Sequence, residues 1–211
     1  MQSMIVFRYS KLNGAEFFSH LDTLRHIQKT MIRAGIEVNR SLGFAKRMNI
    51  FMSSPIGVGQ RSQAEYCLVD TEAVSAEEFM QKFNLYAPKY IRCLKAFTVS
   101  KKCNLAAIID GATYHITGVN KFDVKMVMEA QTFFITAKDG KEKDVKEKIF
   151  NLKFEGDVLV ATLVSGNETL RADLFTEKLL SIYGGENADV LKVCSYIKGQ
   201  PVDDVLERDY V

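Results

Sequence analysis

Apolar and polar positions change period several times along this chain, and each change marks an element. Residues 4–10 alternate apolar and polar side chains, the two-residue period of a half-buried strand. Lys11-Leu12-Asn13-Gly14 is turn chemistry. Ser19-His20-Leu21-Asp22 reads as a helix start: the Ser19 hydroxyl can take the amide three residues on, and Asp22 suits the positive helix end. Leu21, Leu24, Ile27, Met31 and Ala34 recur at steps of three and four, which predicts one apolar stripe that Gly35 ends. Arg25, Lys29 and Arg33, four apart, predict a basic ridge on the outer surface.

Residues 36–38 predict a short strand, 40–47 a basic loop, 49–52 an apolar strand, and 53–60 a second loop carrying Gly57 and Gly59. Residues 65–69 are rich in strand formers. Ser75 to Glu78 is another capping box, opening a helix with Phe79, Met80 and Phe83 that ends before Pro88, and 90–99 predict a strand. The order is βαββαβ.

The second half repeats it more loosely. Residues 113–118 alternate as a strand, 120–123 can cap a short helix through Met128, and 132–137 are β-branched and aromatic. Residues 138–148, five lysines among four acids, predict a solvated excursion with a helical turn at Asp144. Phe150, Leu152 and Phe154 alternate into the turn Glu155-Gly156-Asp157, and 158–164 return. Residues 171–183 predict a helix stopped by Gly184-Gly185, and 190–197 a last strand. The fold class expected is therefore α+β, with two tandem ferredoxin-like (βαββαβ) halves at 1–100 and 112–199. They join near residues 101–111, and an acidic tail at 200–211 frays or docks locally.

Composition agrees with a globular chain: 211 residues, 47% apolar and 26% charged. The first residues do not form a secretory or transit segment, and no stretch approaches the roughly 20 apolar residues of a membrane span, so the expected location is cytoplasmic with no membrane partner. Cys67, Cys93, Cys103 and Cys194 never fall within two to four residues of one another, as ligands to one ion usually do. Neither a metal nor another cofactor is expected. Charge is uneven: residues 1–61 hold nine Lys or Arg against three acids, a balance of +6, leaving −4 for the remainder of a chain at +2. A polyanion or an acidic partner suits the first segment.

Candidate chemistry gathers there. His20 and Asp22, two apart on a helix, point about 200° away from each other and do not form a pair; Asp22 reaches Arg25 or His26 instead. His20, among the first helical amides, is the candidate general acid or phosphate contact if there is catalysis. Gly43, Gly57 and Gly59 let backbone amides approach a phosphate; Lys46, Arg47 and Arg61 add charge; Phe44 offers a ring. The loops 40–47 and 53–62 are expected at one edge with the helix start. No GxxxxGK[ST], GxSxG, HExxH or dinucleotide fingerprint occurs.

Arg8-Tyr9 with Lys11, Phe18-Ser19-His20-Leu21-Asp22 with Arg25, Ser41-x-Gly43-Phe44, and Pro55, Gly59, Ser62 and Ala64-Glu65-Tyr66 stand in an order that resembles the radical-SAM-linked protein family. These are uncharacterised domains encoded beside, or fused behind, a cobalamin-binding radical SAM protein. The likeness is strongest over residues 4–70 and thins to about residue 198. Ala45-Lys46-Arg47-Met48 replaces the Asn-Pro-rich turn of that family, and Gly57 stands where Pro is common. The resemblance implies a non-catalytic accessory protein for a radical SAM enzyme, binding or presenting RNA or a ribonucleoprotein. Together with the charge of the two loops, it gives an expected substrate-binding set of Lys11, His20, Asp22, Arg25, Ser41, Gly43, Phe44, Lys46, Arg47, Gly59, Arg61 and Ser62. Two alternatives stand beside it: an autonomous RNA-binding or metal-independent RNA-processing protein using His20, similar to the repeat-associated RNA-processing proteins, and a small-molecule-binding domain.

Overall fold

Strand β1 (Met4–Lys11) lies near one end of a nine-stranded, mostly antiparallel sheet in a mixed α/β chain. The computed structural model describes residues 4–42, 44–71, 74–137 and 139–211. After β1 come α1 (His20–Arg33), β2 (Ile50–Met52), β3 (Arg61–Val69), α2 (Ala76–Tyr86), β4 (Ile91–Val99) and the one-turn α3 (Leu105–Ile108). The second half runs β5 (Gly111–Val119), α4 (Lys125–Met128), β6 (Phe134–Thr136), β7 (Glu142–Asp144), β8 (Ile149–Glu155), β9 (Val158–Val164), α5 (Ala172–Tyr183) and β10 (Gly185–Ile197). A short β11 (Gln200–Pro201) and α6 (Val202–Asp209) close the chain.

In the first half β4, β1 and β3 are adjacent and β2 pairs with β3, all antiparallel. In the second half the order β10-β5-β9-β8 is likewise antiparallel throughout. One short parallel contact joins the two sets: Arg61 faces Leu191 and Ser62 faces Lys192.

Local chemistry explains most element starts. Ser19 Oγ accepts the Asp22 amide at 3.1 Å and Ser75 Oγ accepts that of Glu78 at 3.2 Å, so both expected caps are made. Gly184, at φ 75°, ends α5, and β10 starts at once rather than at residue 190. There the backbones of β5 and β10 cross so closely that a side chain on Gly185 would begin 2.1 Å from the Gly118 carbonyl oxygen.

Three expectations need correction. The buried face of α1 is Thr23, Ile27, Thr30, Met31 and Ala34, while Leu21 is 59% exposed. Thr23 and Thr30 satisfy their hydroxyls on the carbonyls of Ser19 and His26 (3.0 and 2.9 Å), so they bury as readily as apolar residues and rotate the stripe. Residues 36–38 run without a ladder and form no strand; only the isolated bridge between Arg40 and Met48 follows. Within 139–148 lies β7, paired with β6, ahead of a 3-10 turn at Lys146–Lys148; Lys138 lies outside the described residues.

Two cores sandwich the first-half sheet. Phe7, Ile27, Met31, Phe79 and Phe83 fill the space under α1 and α2. Val6, Tyr66, Leu68, Leu105, Val202 and Leu206 fill the opposite face, under α3 and α6. The acidic tail therefore docks as a helix. The second half has its core on one face, built from Ile116, Leu159, Phe175 and Leu179 under α5 and the β6-β7 hairpin. Its other face is left open: Phe150 is 54% exposed, and Thr162, Val164 and Tyr196 are half-buried.

Candidate functional site

Where β1 ends beside the start of α1, the sheet carries charge into the interior. Glu65 Oε1 accepts from Lys192 Nζ at 3.0 Å and from Ser62 Oγ at 2.8 Å, and all three residues are at most 3% exposed. This bonded pair ties β3 to β10 at the parallel contact between the halves. Lys11, also buried, donates from Nζ to the Phe18 carbonyl at 2.7 Å, which anchors the turn leading into α1. Burial pulls the Lys11 ammonium below its usual range, with Glu65 and then Glu16 opposing. Tyr9 is buried, and its hydroxyl makes no hydrogen bond among the described residues. Desolvation pushes its pKa up, and the Glu65 carboxylate pushes the same way.

A narrow pit bounded by His20, Thr23, Met52, Pro55 and Ile56 opens onto Tyr9, Lys11 and Glu65. Its free space is about 10 Å³, room for one water-sized group. That is too small for a substrate.

Most expected ligand contacts of this first segment are already taken. Asp22 accepts from Ser19 Oγ at 2.7 Å and from Arg25 Nη1 at 3.0 Å; the Ser19 hydroxyl first, and Arg25 after it, hold its carboxyl below the usual range. Arg61 forms a two-pronged pair with Asp189, Nε to Oδ1 at 3.1 Å. The Gly59 amide donates to the Glu16 carbonyl at 2.8 Å and is not free for a phosphate. His20 is exposed and makes no hydrogen bond among the described residues, so no second group orients it as an acid or base. His26 is stacked on Phe18 at 4.8 Å between ring centres and edge-on to Tyr90, a packing role.

The two loops do not share an edge with the helix start. Residues 53–60 lead into Arg61 at one end of β3, and Pro55 and Ile56 among them line the pit with His20. Residues 40–48 stand beside Ile32 and Gly35, at the far end of α1, next to the other end of β3. They flank β2: the first loop enters it opposite Val69 and the second leaves it at Ser53, whose amide donates to the Tyr66 carbonyl, before running on to Arg61 at the other end of β3. Distant pairing decided this, since β2 joins the Val69 end of β3.

The loop 40–48 has its own architecture. Asp70 accepts from the side chains of Asn39 and Asn49 at 2.9 and 3.0 Å, clamping its base. Ser41 N donates to the Arg47 carbonyl at 2.8 Å, Arg47 N donates to Ser41 Oγ at 3.0 Å, and Arg40 Nη1 reaches the Lys46 carbonyl at 3.2 Å. Leu42 and Phe44 are fully exposed beside exposed Lys46 and Arg47. Gly43 lies outside the described residues.

The structure thus divides the expected set. Lys11 and Ser62 are interior; His20 lines the pit with Lys11; Asp22 and Arg25 pair with each other on α1, Gly59 and Arg61 are bonded to Glu16 and Asp189, and Ser41, Phe44, Lys46 and Arg47 belong to the far loop. Lys192 escaped the sequence reading and Glu65 entered it only as part of the Ala64-Glu65-Tyr66 series, without a role, although one charge within each of two strand-like runs was the available signal. Cys67, Cys93 and Cys103 are buried and Cys194 half-buried, with burial pushing the Cys93 thiol up to about 12. Among the described residues no three His, Cys, Asp or Glu side chains are placed to hold a metal ion. Among the described residues no helix is long and apolar enough to cross a membrane.

The profile of a family described as an uncharacterized protein conserved in bacteria (DUF2344) matches residues 4–173. A search of curated proteins finds no match. Among solved structures, the crystal structure of an unknown protein from Galdieria sulphuraria aligns over 91% of this chain and 98% of that chain, at 11% identity and a TM-score of 0.27. A likeness of that size carries no argument about fold or function.

Proposed function

The chain belongs to the DUF2344 family of uncharacterised bacterial proteins, and we propose that it acts as a non-catalytic accessory protein that docks on a radical SAM enzyme in the cytoplasm and binds RNA or a ribonucleoprotein for it. The observation that carries this reading is the loop 40–48. A hairpin clamped at its base by Asp70 that leaves a leucine and a phenylalanine fully exposed gains nothing for its own fold from those side chains. Buried against a partner, the same two side chains become anchors, with Lys46 and Arg47 as a basic rim. The isolated His20 and the one-water pit give a catalytic or small-molecule role less support. The choice of a radical SAM enzyme comes from the motif series around Ser19 and Ser41.

We also infer two tandem ferredoxin-like halves. In each, the antiparallel order places the fourth main strand beside the first, then the third, then the second: β4-β1-β3-β2 and β10-β5-β9-β8. The short α4 and the β6-β7 hairpin occupy the first helix position of the second half.

Co-purification with the radical SAM protein encoded nearest its gene tests the docking. Phe44→Glu is expected to weaken capture about 30-fold or more, the scale of an interface hot spot, and to leave the melting temperature unchanged. Capture by the unaltered protein that survives Phe44→Glu and Leu42→Glu together would refute docking through this loop, and no complex at all would refute the partner.

A further inference from the structure

The unused surface with the most organised chemistry is the open face of the second-half sheet. Gly111 sits opposite Tyr196 on β10 and Val164 on β9. A side chain at Gly111 would begin 3.5 Å from Tyr196 Cβ and 3.6 Å from the Phe150 ring, so the glycine floors a slot with one aromatic side chain on either side. Tyr196 is held in place: its hydroxyl is bonded to that of Thr113 at 3.0 Å, and Thr113 to that of Thr162 at 2.9 Å. The Phe150 ring stands on the edge strand β8, half in solvent. The cavity between them is about 670 Å³, within the range of small-molecule sites and ample for a base and its sugar.

A second groove of about 810 Å³ continues from it under α3 and α6, and Asp110 and Lys198 line both. Both acids here are hydrogen-bonded, and one of them is paired with a cation. Both oxygens of Asp110 accept the Lys198 amide at 3.0 and 3.1 Å, and Asp209 pairs with Arg208. The ammonium of Lys198 has no partner among the described residues, and that of Lys101 lies over the Tyr210 ring at 4.6 Å. An aromatic slot thus leads into a groove lined by Lys101, Lys198 and Arg208 against Asp110 and Asp209, a balance of +1.

We propose that this face binds single-stranded RNA, one base entering between Phe150 and Tyr196 and the backbone passing Lys198 towards Lys101. Aromatic rings on an open sheet with neighbouring cations are the chemistry that holds unpaired bases and their phosphates. The proposal rests on the RNA-binding part of the reading above, and it moves that binding from the basic loop to the other half of the molecule.

Fluorescence anisotropy with fluorescein-labelled eight-residue oligo(U) and oligo(A), titrated across salt, tests it. Phe150→Ala is expected to weaken binding about tenfold or more, on the scale of one lost base–ring stack. Gly111→Val, which fills the slot without altering charge, is expected to match it, with circular dichroism checking the fold of both. Lys198→Ala should lower the log–log salt slope by about 0.7. Unchanged affinity in both slot variants overturns the proposal. UMP or AMP bound as tightly as the oligonucleotides and without a salt slope overturns the strand, since the slot would then serve a free nucleotide. Oligonucleotide binding lost in Phe44→Glu but kept in Phe150→Ala overturns the slot while leaving RNA binding standing. No oligonucleotide binding at all removes RNA from both readings, and co-purification of the partner then stands or falls separately.

Discussion

Lys192→Ala is expected to lower the unfolding free energy by about 3–5 kcal/mol, because it strands the Glu65 carboxylate in the interior. Glu65 would keep one partner, the Ser62 hydroxyl, in place of a charge-assisted bond. Set against the roughly 5–15 kcal/mol that keeps a domain folded, one side chain of 211 would remove a large share of the stability. Urea unfolding at neutral pH measures it, with an unchanged slope showing that the same structure is lost. The double variant Glu65→Gln, Lys192→Met should recover most of the difference, since the loss lies in the unpaired charge and not in the absence of attraction. A single variant that loses less than about 1 kcal/mol would show that water reaching the carboxylate through the pit compensates the lost partner, and would refute the stranded charge.

Ending the chain at Pro201 should do still more. Val202 and Leu206 are fully buried and Val205 nearly so; returning three such side chains to water costs about 5–8 kcal/mol. The same cut strips Asp203 from Tyr66, whose hydroxyl it accepts at 2.8 Å, and from Arg8 at 3.4 Å. Arg8 Nε is already buried without a partner, so this layer tolerates little further loss. The shortened chain is expected to retain helical circular dichroism, bind a hydrophobic dye and lose its cooperative melt. Leu206→Ala is the milder arm, at about 2–5 kcal/mol. A shortened chain melting within a few degrees of the full one would mean that α6 only decorates the sheet.

What the sequence made legible is what is decided within a few residues. The caps at Ser19 and Ser75, the stop at Gly184 and the hairpin at Glu155 to Asp157 each follow from one short segment. What it concealed depends on partners far along the chain. Leu21 looks as buried as Ile27 until Thr23 and Thr30 are seen to satisfy themselves on α1. The loops 40–48 and 53–60 look like two walls of one site until β2 joins the far end of β3. Lys192 looks like an outward residue of a last strand until the parallel register sets it against Ser62, 130 positions earlier in the chain. The tail reads as acidic and loose because its three buried residues, Val202, Val205 and Leu206, are outnumbered by charges that face outward.

The repeated strand order invites the view that the two halves could be parted at the connector between Val99 and Gly111. The cores say otherwise. Ile56, from the first half, packs against the core of the second, while α3, in the connector, and α6, beyond the last strand, supply part of a core of the first. Each half therefore wears a piece of chain that lies outside it. A protease nick in the connector would yield two fragments that stay clasped, and neither sequence made alone would be complete. The strand order repeats, but the cores draw on both parts of the chain.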